Sequence, residues 1–448
     1  MGYIAHTEGE LQAMTRRIGV EHADDLLLAS VPQAYAFPEI DLPEPVSEME
    51  IMAELREISE ANADLQHAPC FLGAGAYHHF VPSVVDHVLS RSEFYTAYTP
   101  YQPEVSQGTL QAIFEYQSMI CALTGMEVSN ASHYDGATAM AEAVIMAISV
   151  SRGRRRKVVM SPAIHPEYRE TVRTYTQGMG VTIAGDYWLA NDIPALVDMV
   201  DGDTACLIVQ SPDFLGRIDD LTGLAERVHA HKALLVVACD PISLGMLKPP
   251  GDYDADIALG EGQPLGNPIS YGGPYVGFFA CKKRYVRRMA GRLVGQTVDT
   301  EGNRGFVLTL ATREQHIRRD RATSNICTNQ ALNALAAAVY LAAMGKSGLA
   351  QVARLCYHKA HYAAKAIALL DGYDVDLTTP FFKEFVVRCP MPAAELNHLL
   401  YNYYGILGGY DLGQVYPELE DHMLICVTEM NTRQEIDELV EALEGIAP

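Results

Sequence analysis

Acidic and small residues of this 448-residue sequence occupy places where parallel α/β folds bind ligands. Asp240 directly follows Leu234–Cys239, which is the strongest strand pattern in the chain. Upstream, Asp135, Gly136 and Thr138 precede an Ala- and Met-rich helical pattern, whose first N–H groups and positive dipole end would suit a phosphate. A carboxylate after a strand and a phosphate cradle before a helix together hold pyridoxal phosphate, because the carboxylate keeps the ring nitrogen protonated and the ring can then accept electrons.

A plainer interpretation of the same residues needs no cofactor. Asp240 could simply cap a helix that starts at Pro241, and Asp135 and Gly136 could form an ordinary turn. The residue pattern alone leaves both interpretations open.

The lysine that pyridoxal phosphate needs for its Schiff base is missing from its expected place. It should follow the next strand, Asp256–Leu259, but the segment from Gly260 to Gly266 contains Gln263 and no lysine. The nearest lysines precede this strand or follow a further one: Lys248, Lys282 and Lys283. The sequence therefore predicts a cofactor fold without its covalent anchor and with no catalytic residue of its own.

The elements that must position these residues follow a βαβ pattern between about residues 71 and 280. Continuous branched apolar runs alternate with amphipathic stretches, which indicates a parallel sheet buried on both faces. Thr7 and Ser47, each followed three residues later by Glu, predict capped helices near the N-terminus. We expect an N-terminal helical arm (1–65), a large α/β domain (66–330) and a smaller C-terminal α+β domain (331–448).

Composition excludes several classes of partner and site. A formal net charge of -23 argues against binding to nucleic acid or to an anionic membrane surface. Nine scattered cysteines without a CxxC pair predict neither a disulfide framework nor a structural zinc site, and they suit a reducing cytoplasm. The polar N-terminus lacks a signal-peptide core, and the apolar run Ala331–Met344 is too short to span a bilayer. We predict no metal site.

Five long strings of the sequence carry a family resemblance. The chain closely resembles, over essentially its whole length, the N-terminal (subunit 1) half of the P-protein family of the glycine cleavage system. The strings are Phe71–Tyr77, Tyr95–Glu104, Ser106–Gly108, Tyr134–Ala139 and Arg321–Asn329. Continuous strings of this kind are far more specific than a spaced motif.

The resemblance implies a fold-type-I pyridoxal-phosphate transferase-like architecture with a mostly parallel central sheet and flanking helices. It also implies that a second subunit carries the Schiff-base lysine, so that the Gln263 region is the family pattern for this half. The family reaction is glycine decarboxylation, after which the aminomethyl group passes to the lipoyl arm of the H-protein. The assembly expected for such a pair of subunits is an α2β2 heterotetramer.

Active sites of fold-type-I dimers are completed by loops from the neighbouring subunit, and the resemblance gives that role to two segments here. Tyrosine rings can line a pocket while their hydroxyls bind an anion, and hydroxyl or amide side chains can bind phosphate. The expected contacts to the partner's cofactor are Tyr95, Tyr98, Tyr101, Gln102, Thr323, Ser324, Asn325 and Thr328. The pocket of this chain would then be a vestige formed by Asp135, Gly136, Thr138 and Asp240.

Two other functions remain compatible with the sequence. One is a self-sufficient fold-type-I enzyme, such as an aminotransferase or a desulfurase, that uses an unusual lysine. The other is a non-catalytic subunit that docks the H-protein or stabilises its partner.

Overall fold

The computed structural model describes residues 5–32, 35, 41–65, 67–324, 326 and 329–446, and these form two compact units, 1–64 and 65–448. The first unit contains α1 (Glu8–Ile18), α2 (Ala23–Ser30) and α3 (Glu48–Glu60). The predicted capping boxes of Thr7 with Glu10 and of Ser47 with Glu50 are confirmed. The proposed boundary between a large and a small domain at residues 330 and 331 stays a prediction.

A seven-stranded sheet forms the centre of the second unit, in the order β1-β7-β6-β5-β4-β2-β3. Strands β2 to β6 pair in parallel, whereas β7 runs antiparallel to both β6 and β1, so the predicted, mostly parallel sheet is confirmed. Its strands are β1 (Val128–Ser129), β2 (Lys157–Met160), β3 (Thr182–Ala184), β4 (Thr204–Gln210), β5 (Leu234–Ala238), β6 (Ile257–Glu261) and β7 (Gly277–Cys281).

Helices cover both faces of this sheet. Alternate residues of one strand enter different cores: Val158 packs in the core beside the helix that begins at Gly136, and Val159 packs in the opposite one. This two-sided burial explains the continuous apolar runs in the sequence. The helices of this region are α4 (Ser83–Leu89), α5 (Ser92–Tyr95), α6 (Gln107–Thr124), α7 (Gly136–Val150), α8 (Pro166–Thr176), α9 (Ile193–Asp198), α10 (Leu224–Ala230) and α11 (Gln315–Arg318).

Two smaller sheets complete the fold. The sequence patterns did not predict the first, a hairpin of β8 (Leu293–Val298) and β9 (Arg304–Thr309). The second contains β10, β12 and β11 in that order and packs against the C-terminal helices. Its elements are β10 (Glu384–Arg388), β11 (Tyr410–Asp411) and β12 (His422–Cys426), with α12 (Ala331–Ile367), α13 (Ala393–Tyr404) and α14 (Arg433–Ile446).

Helix α12 is longer than the sequence pattern indicated. It continues past Met344 to Ile367, but Gly345 has non-helical dihedral angles (φ 59°, ψ −178°) and marks a kink between two helical segments. By length and composition this helix could cross a membrane, which is weak evidence by itself, and one face of it, with Ala336, Ala337 and Tyr340, is buried in a hydrophobic core of the protein. Such burial is typical of a core helix. Each of the eight cysteines that the structure describes is free.

Candidate active-site surfaces

Asp240 lies at the carboxyl end of β5 and uses both of its carboxylate oxygens. Oδ1 accepts a hydrogen bond from the backbone N–H of Ile242 (2.8 Å), as a cap of the next turn would. Oδ2 lies 2.6 Å from Nζ of Lys383, which immediately precedes β10 and is only 1% exposed. The carboxylate predicted to hold a cofactor ring nitrogen therefore pairs with an amine of the chain itself.

N–H groups at the N-terminus of α7, like the carboxylate of Asp240, are already hydrogen-bonded within the chain. Asp135 is the N-cap: its Oδ1 accepts from the backbone N–H of Thr138 (2.7 Å) and from the hydroxyl of Thr138 (2.9 Å). The backbone N–H of Gly136 donates to Oε2 of Glu261 (3.0 Å). A Cβ atom at Gly136 would lie 2.2 Å from the hydroxyl oxygen of Tyr168, so only glycine fits.

Gln263, in the place expected for the lysine, has a structural role. Its buried side-chain amide accepts from the backbone N–H of Tyr77 and donates to the carbonyl of Tyr77, each at 2.9 Å. It also donates to the carbonyl of Asn267 at 2.7 Å. Gln263 thus fastens the segment around Tyr77 to the loop after β6.

Pyridoxal phosphate does not fit the pocket between Asp240 and α7. The remaining cavity is about 40 Å³, which is room for a few water molecules at roughly 10–15 Å³ each and well below the roughly 300 Å³ of the smaller ligand pockets. The two groups that the cofactor would contact already have partners: the Asp240 carboxylate pairs with Lys383, and the backbone N–H of Gly136 donates to Glu261. The residues expected to form a vestigial pocket are thus engaged with other groups of the chain itself.

The buried acids beside this cavity have shifted titration. Burial, partly offset by the N–H bonds from Gly136 and Val276, raises the pKa of Glu261 to about 8. Burial also raises the pKa of Glu384 to about 7. Burial is the largest influence and would lower the pKa of Lys383, but the charge of Asp240, its hydrogen bond and the other groups around the ammonium together leave that pKa raised. Lys383 is therefore a charged ammonium at neutral pH.

The tyrosine loop, residues 95–102, lines a second and larger cavity of about 300 Å³. That volume is at the lower end of ligand pockets. Tyr95 and Tyr98 line the cavity together with Asn329, which directly follows the second predicted segment. Tyr98 is 83% exposed, and Tyr101 and Gln102 are also exposed. Aromatic rings around an open cavity form a surface suited to a partner, since Tyr is enriched at interfaces.

Arg292, which the sequence analysis missed, connects the tyrosine loop to the residue that follows the second predicted segment. Its buried guanidinium donates to the hydroxyl of Tyr101 (3.3 Å) and to Oδ1 of Asn329 (3.5 Å). Its Nε lies 3.7 Å from Oε2 of buried Glu314, and Asn329 in turn donates to the hydroxyl of Ser132 (2.8 Å). The guanidinium is also a wall of the 300 Å³ cavity and so places a positive charge there.

The rest of the second segment lies beside a different, shallow cleft. Thr323 and Ser324 line it together with Arg313, and Thr323 is exposed. The hydroxyl of Ser324 donates to Oε1 of Glu142 (2.8 Å), whose pKa burial raises to about 7. The predicted contacts Asn325 and Thr328 lie outside the described residues.

A cluster of His79, Cys356 and Glu429 has the spacing of a metal site, with possible ligand atoms within 4.8 Å of one another. Nδ1 of His79, however, already donates to Oε2 of Glu429 (2.7 Å). The ammonium of Lys383 lies 3.1 Å from Nε2 of His79 and would repel a cation. The cluster therefore reads as a hydrogen-bond network.

Comparison with known proteins gives a consistent family. The glycine cleavage system P-protein family model matches residues 1–443. The "probable glycine dehydrogenase (decarboxylating) subunit 1" of Thermomicrobium roseum is 53% identical, with 99% of each chain covered. The protein of the same description from Desulforamulus reducens is 52% identical, with 100% of each chain covered.

Solved structures agree with this family and with the fold. A crystal structure of glycine decarboxylase (P-protein) of the glycine cleavage system, in inhibitor-bound form, has a TM-score of 0.90 and 44% identity, with 99% of this chain and 100% of that chain covered. A NifS-like protein, 14% identical with a TM-score of 0.62 over 85% of this chain and 99% of that one, shares the fold. The predicted fold-type-I architecture is confirmed.

Proposed function

This chain belongs to the glycine cleavage system P-protein family, and on that premise we propose that it completes the active site of a second, lysine-bearing subunit. It is a subunit 1 of a glycine-decarboxylating enzyme, and the family and fold imply dependence on pyridoxal phosphate. In our proposal the second subunit holds that cofactor covalently. This chain contributes the tyrosine loop and the segment from Thr323 to Asn329.

One observation carries the proposal: the cofactor pocket of this chain is filled, while an open tyrosine-lined cavity with a buried guanidinium lies at its surface. Tyr95 and Tyr98 are exposed, although such large rings are costly to leave in water. A partner that covers them would recover that hydrophobic free energy. The cavity therefore has the properties of half a site rather than of a complete one.

The chemistry of the reaction gives this half-site its task. Pyridoxal phosphate, when bound, delocalises the electron pair of the Cα–carboxyl bond, which stays on the α-carbon when the carboxylate of glycine departs as carbon dioxide. The rings of Tyr95 and Tyr98 would exclude water, and their hydroxyls are donors for an anionic group. Arg292 orients the loop through Tyr101 and keeps one positive charge at the cavity wall. Exclusion of water strengthens each of these electrostatic contacts.

We further propose that the aminomethyl group passes to the lipoyl arm of the H-protein and that the assembly is an α2β2 heterotetramer. The exposed loop supports this, since a substrate tethered to another protein needs an open approach. The free thiols support the cytoplasmic location that we propose for it.

The two rival functions make different use of the chain. A self-sufficient aminotransferase or desulfurase would need an amine free to bind the cofactor. Lys282 is instead paired with Asp254 and Asp256, and Lys383 with Asp240. A non-catalytic docking subunit would leave the tyrosines without effect on turnover.

The proposal is tested by trapping the cofactor in the assembled enzyme. Borohydride reduces the carbon–nitrogen double bond between pyridoxal phosphate and its lysine to a stable amine, which peptide mapping then locates. We expect one label per pair of subunits, on a lysine of the second subunit. A label on Lys248, Lys282, Lys283 or Lys383 of this chain would support the self-sufficient rival and contradict the proposal.

A further inference from the structure

Lys383 belongs to a buried clasp that we define by Lys383, Asp240, Tyr77, His79 and Glu384. Its ammonium pairs with Asp240 and with Nε2 of His79, and it lies 3.4 Å from the centre of the Tyr77 ring. A carboxylate, a ring nitrogen and an aromatic face thus surround one positive charge. A lysine is seldom fully buried unless it is paired, and this one has three partners.

The clasp joins segments that are far apart in the chain. Asp240 follows β5 of the central sheet, whereas Lys383 and Glu384 stand at the start of β10 in the three-stranded sheet. Oε1 of Glu384 accepts from the backbone N–H of Ala74 (2.7 Å), and Oε2 accepts from the hydroxyl of Tyr77 (2.8 Å). These bonds hold the Gly-rich segment from Gly73 to Tyr77 between the two sheets.

His79 links the ammonium of Lys383 to the carboxylate of Glu429. Burial and the neighbouring ammonium of Lys383 lower the pKa of His79, so the imidazole is neutral. A neutral imidazole can donate through Nδ1 to Glu429 and accept through Nε2 from Lys383. Although burial opposes it, the bond from His79 lowers the pKa of Glu429 to about 2. The network is fully satisfied with Lys383 and Glu429 both charged.

At the other end of the pocket, Glu261 satisfies backbone N–H groups as Lys383 satisfies Asp240. Oε2 accepts from Gly136 at the start of α7, and Oε1 accepts from the backbone N–H groups of Gln263 (3.0 Å) and Val276 (3.1 Å). N–H groups at a helix N-terminus are the donors that a phosphate would need. In α7 the carboxyl group of Glu261 accepts from one of these N–H groups, that of Gly136, and the Asp135 cap accepts from another, that of Thr138.

We infer that the pocket of this subunit is a closed structural site. The ammonium of Lys383 takes the place at Asp240 that the protonated ring nitrogen of the cofactor would occupy, and the carboxyl group of Glu261 takes the place of its phosphate at Gly136. The chain carries both polar groups itself, so the site takes no pyridoxal phosphate. The inference rests on the proposed function only in assigning the cofactor to the other subunit. It adds that the site is permanently filled and that its filling holds the three-stranded sheet to the central sheet.

The energetics favour the closed site. A ligand could enter only by breaking the ion pair of Lys383 with Asp240, which would leave a buried charge without its partner. The aromatic face of Tyr77 and the backbone of Gly73 to Gly75 would also have to move, because a Cβ at Gly75 would already lie 2.6 Å from Nε2 of His165. A small phosphate ester offers no contact that the clasp does not already make.

Binding of pyridoxine 5′-phosphate to the full chain tests the inference directly. This probe has the ring nitrogen and the phosphate but no aldehyde, so it cannot condense with surface lysines. We expect equilibrium dialysis to show no saturable binding to the unaltered chain. Saturable binding of one equivalent that Asp240→Asn abolishes would overturn the inference. It would remove the filled pocket as support for the proposed function, but borohydride trapping tests that function separately by locating the lysine that carries the cofactor.

A double-substitution cycle tests the clasp without any ligand. Lys383→Met and Asp240→Asn should each lower the melting temperature of the full chain by several degrees, and the double variant should melt above at least one of the single variants. The exposed pair Arg388–Asp421, substituted in the same way, is the matched control and should show little coupling. Simple additivity at Lys383 and Asp240 would contradict the inference. The binding measurement uses the unaltered chain and does not depend on the variants folding.

Discussion

Replacing Tyr98 by alanine should lower kcat of the assembled two-subunit enzyme by about 100-fold while the complex stays intact. The ring is 83% exposed in this chain and lies at the mouth of the 300 Å³ cavity. If the second subunit closes over this cavity, the ring becomes part of a wall that excludes water from the reacting carboxylate. Its loss would admit water and weaken the electrostatic contacts made in the site.

Steady-state kinetics with saturating H-protein, together with gel filtration of the complex, provide the measurement. Tyr403→Ala is the matched control, because Tyr403 is 77% exposed but lies at the end of α13, away from the cavity. Tyr98→Phe separates the hydroxyl from the ring and should cost less than alanine. Unchanged turnover of the Tyr98→Ala complex would favour the docking-subunit rival.

Replacing Arg292 by alanine should lower the free energy of unfolding by about 3 kcal/mol. Buried Glu314 would lose the guanidinium 3.7 Å from its carboxylate and would keep the half-exposed His316 ring, at 3.6 Å, as a basic neighbour. The guanidinium also holds Tyr101, in the first segment predicted to meet the cofactor, and Asn329, directly after the second. Loosening both segments should reduce kcat in the assembled enzyme even at temperatures where the variant is folded. Urea unfolding and steady-state kinetics measure the two effects independently.

Arg292→Lys is the informative companion to the alanine variant. Lysine keeps the positive charge near Glu314 but lacks the planar fork that reaches two acceptors at once. Stability should therefore return in part, while kcat should remain low. If the lysine variant recovers both, Arg292 acts only as a buried charge and the positioning role is wrong.

Much of the fold could be predicted because the parallel strands have a recognisable local sequence pattern. The runs at β2, β4 and β5 are continuously apolar, since both faces of the sheet are covered by helices. The hairpin of β8 and β9 carries no such signal: Gln296, Thr297 and the turn near Gly302 are exposed. Its edge strands are held by pairing with each other and by α6, contacts that a local pattern does not encode.

The residues of the candidate site likewise include some that a local sequence pattern marks and some that it does not. Asp240 and Gly136 could be selected because each stands at a recognisable end of a strand or a helix. Lys383 could not, because it is one lysine between Phe382 and Glu384 in a strand-like run, 143 positions beyond its partner Asp240. Only the packing of the two sheets brings its ammonium to Asp240. The sequence search for an amine near the pocket therefore missed the one that is there.

Arg292 was missed for a related reason. Its neighbours in sequence, Gly291 and Leu293, suggest only the start of a strand. Arg292 positions the site through its hydrogen bonds to Tyr101 and Asn329, which lie on separate segments and approach it only in the folded chain. Chain-distant contacts of this kind determine how the tyrosine loop is oriented.

The exchange of labelled bicarbonate into the carboxyl group of glycine tests the central claim most directly. The reaction is followed in the presence of pyridoxal phosphate and lipoylated H-protein, with this chain alone, with the second subunit alone, and with both. We predict exchange only when both subunits are present, with either one alone at the background rate. Exchange by this chain alone, or full exchange by the second subunit without it, would contradict the account.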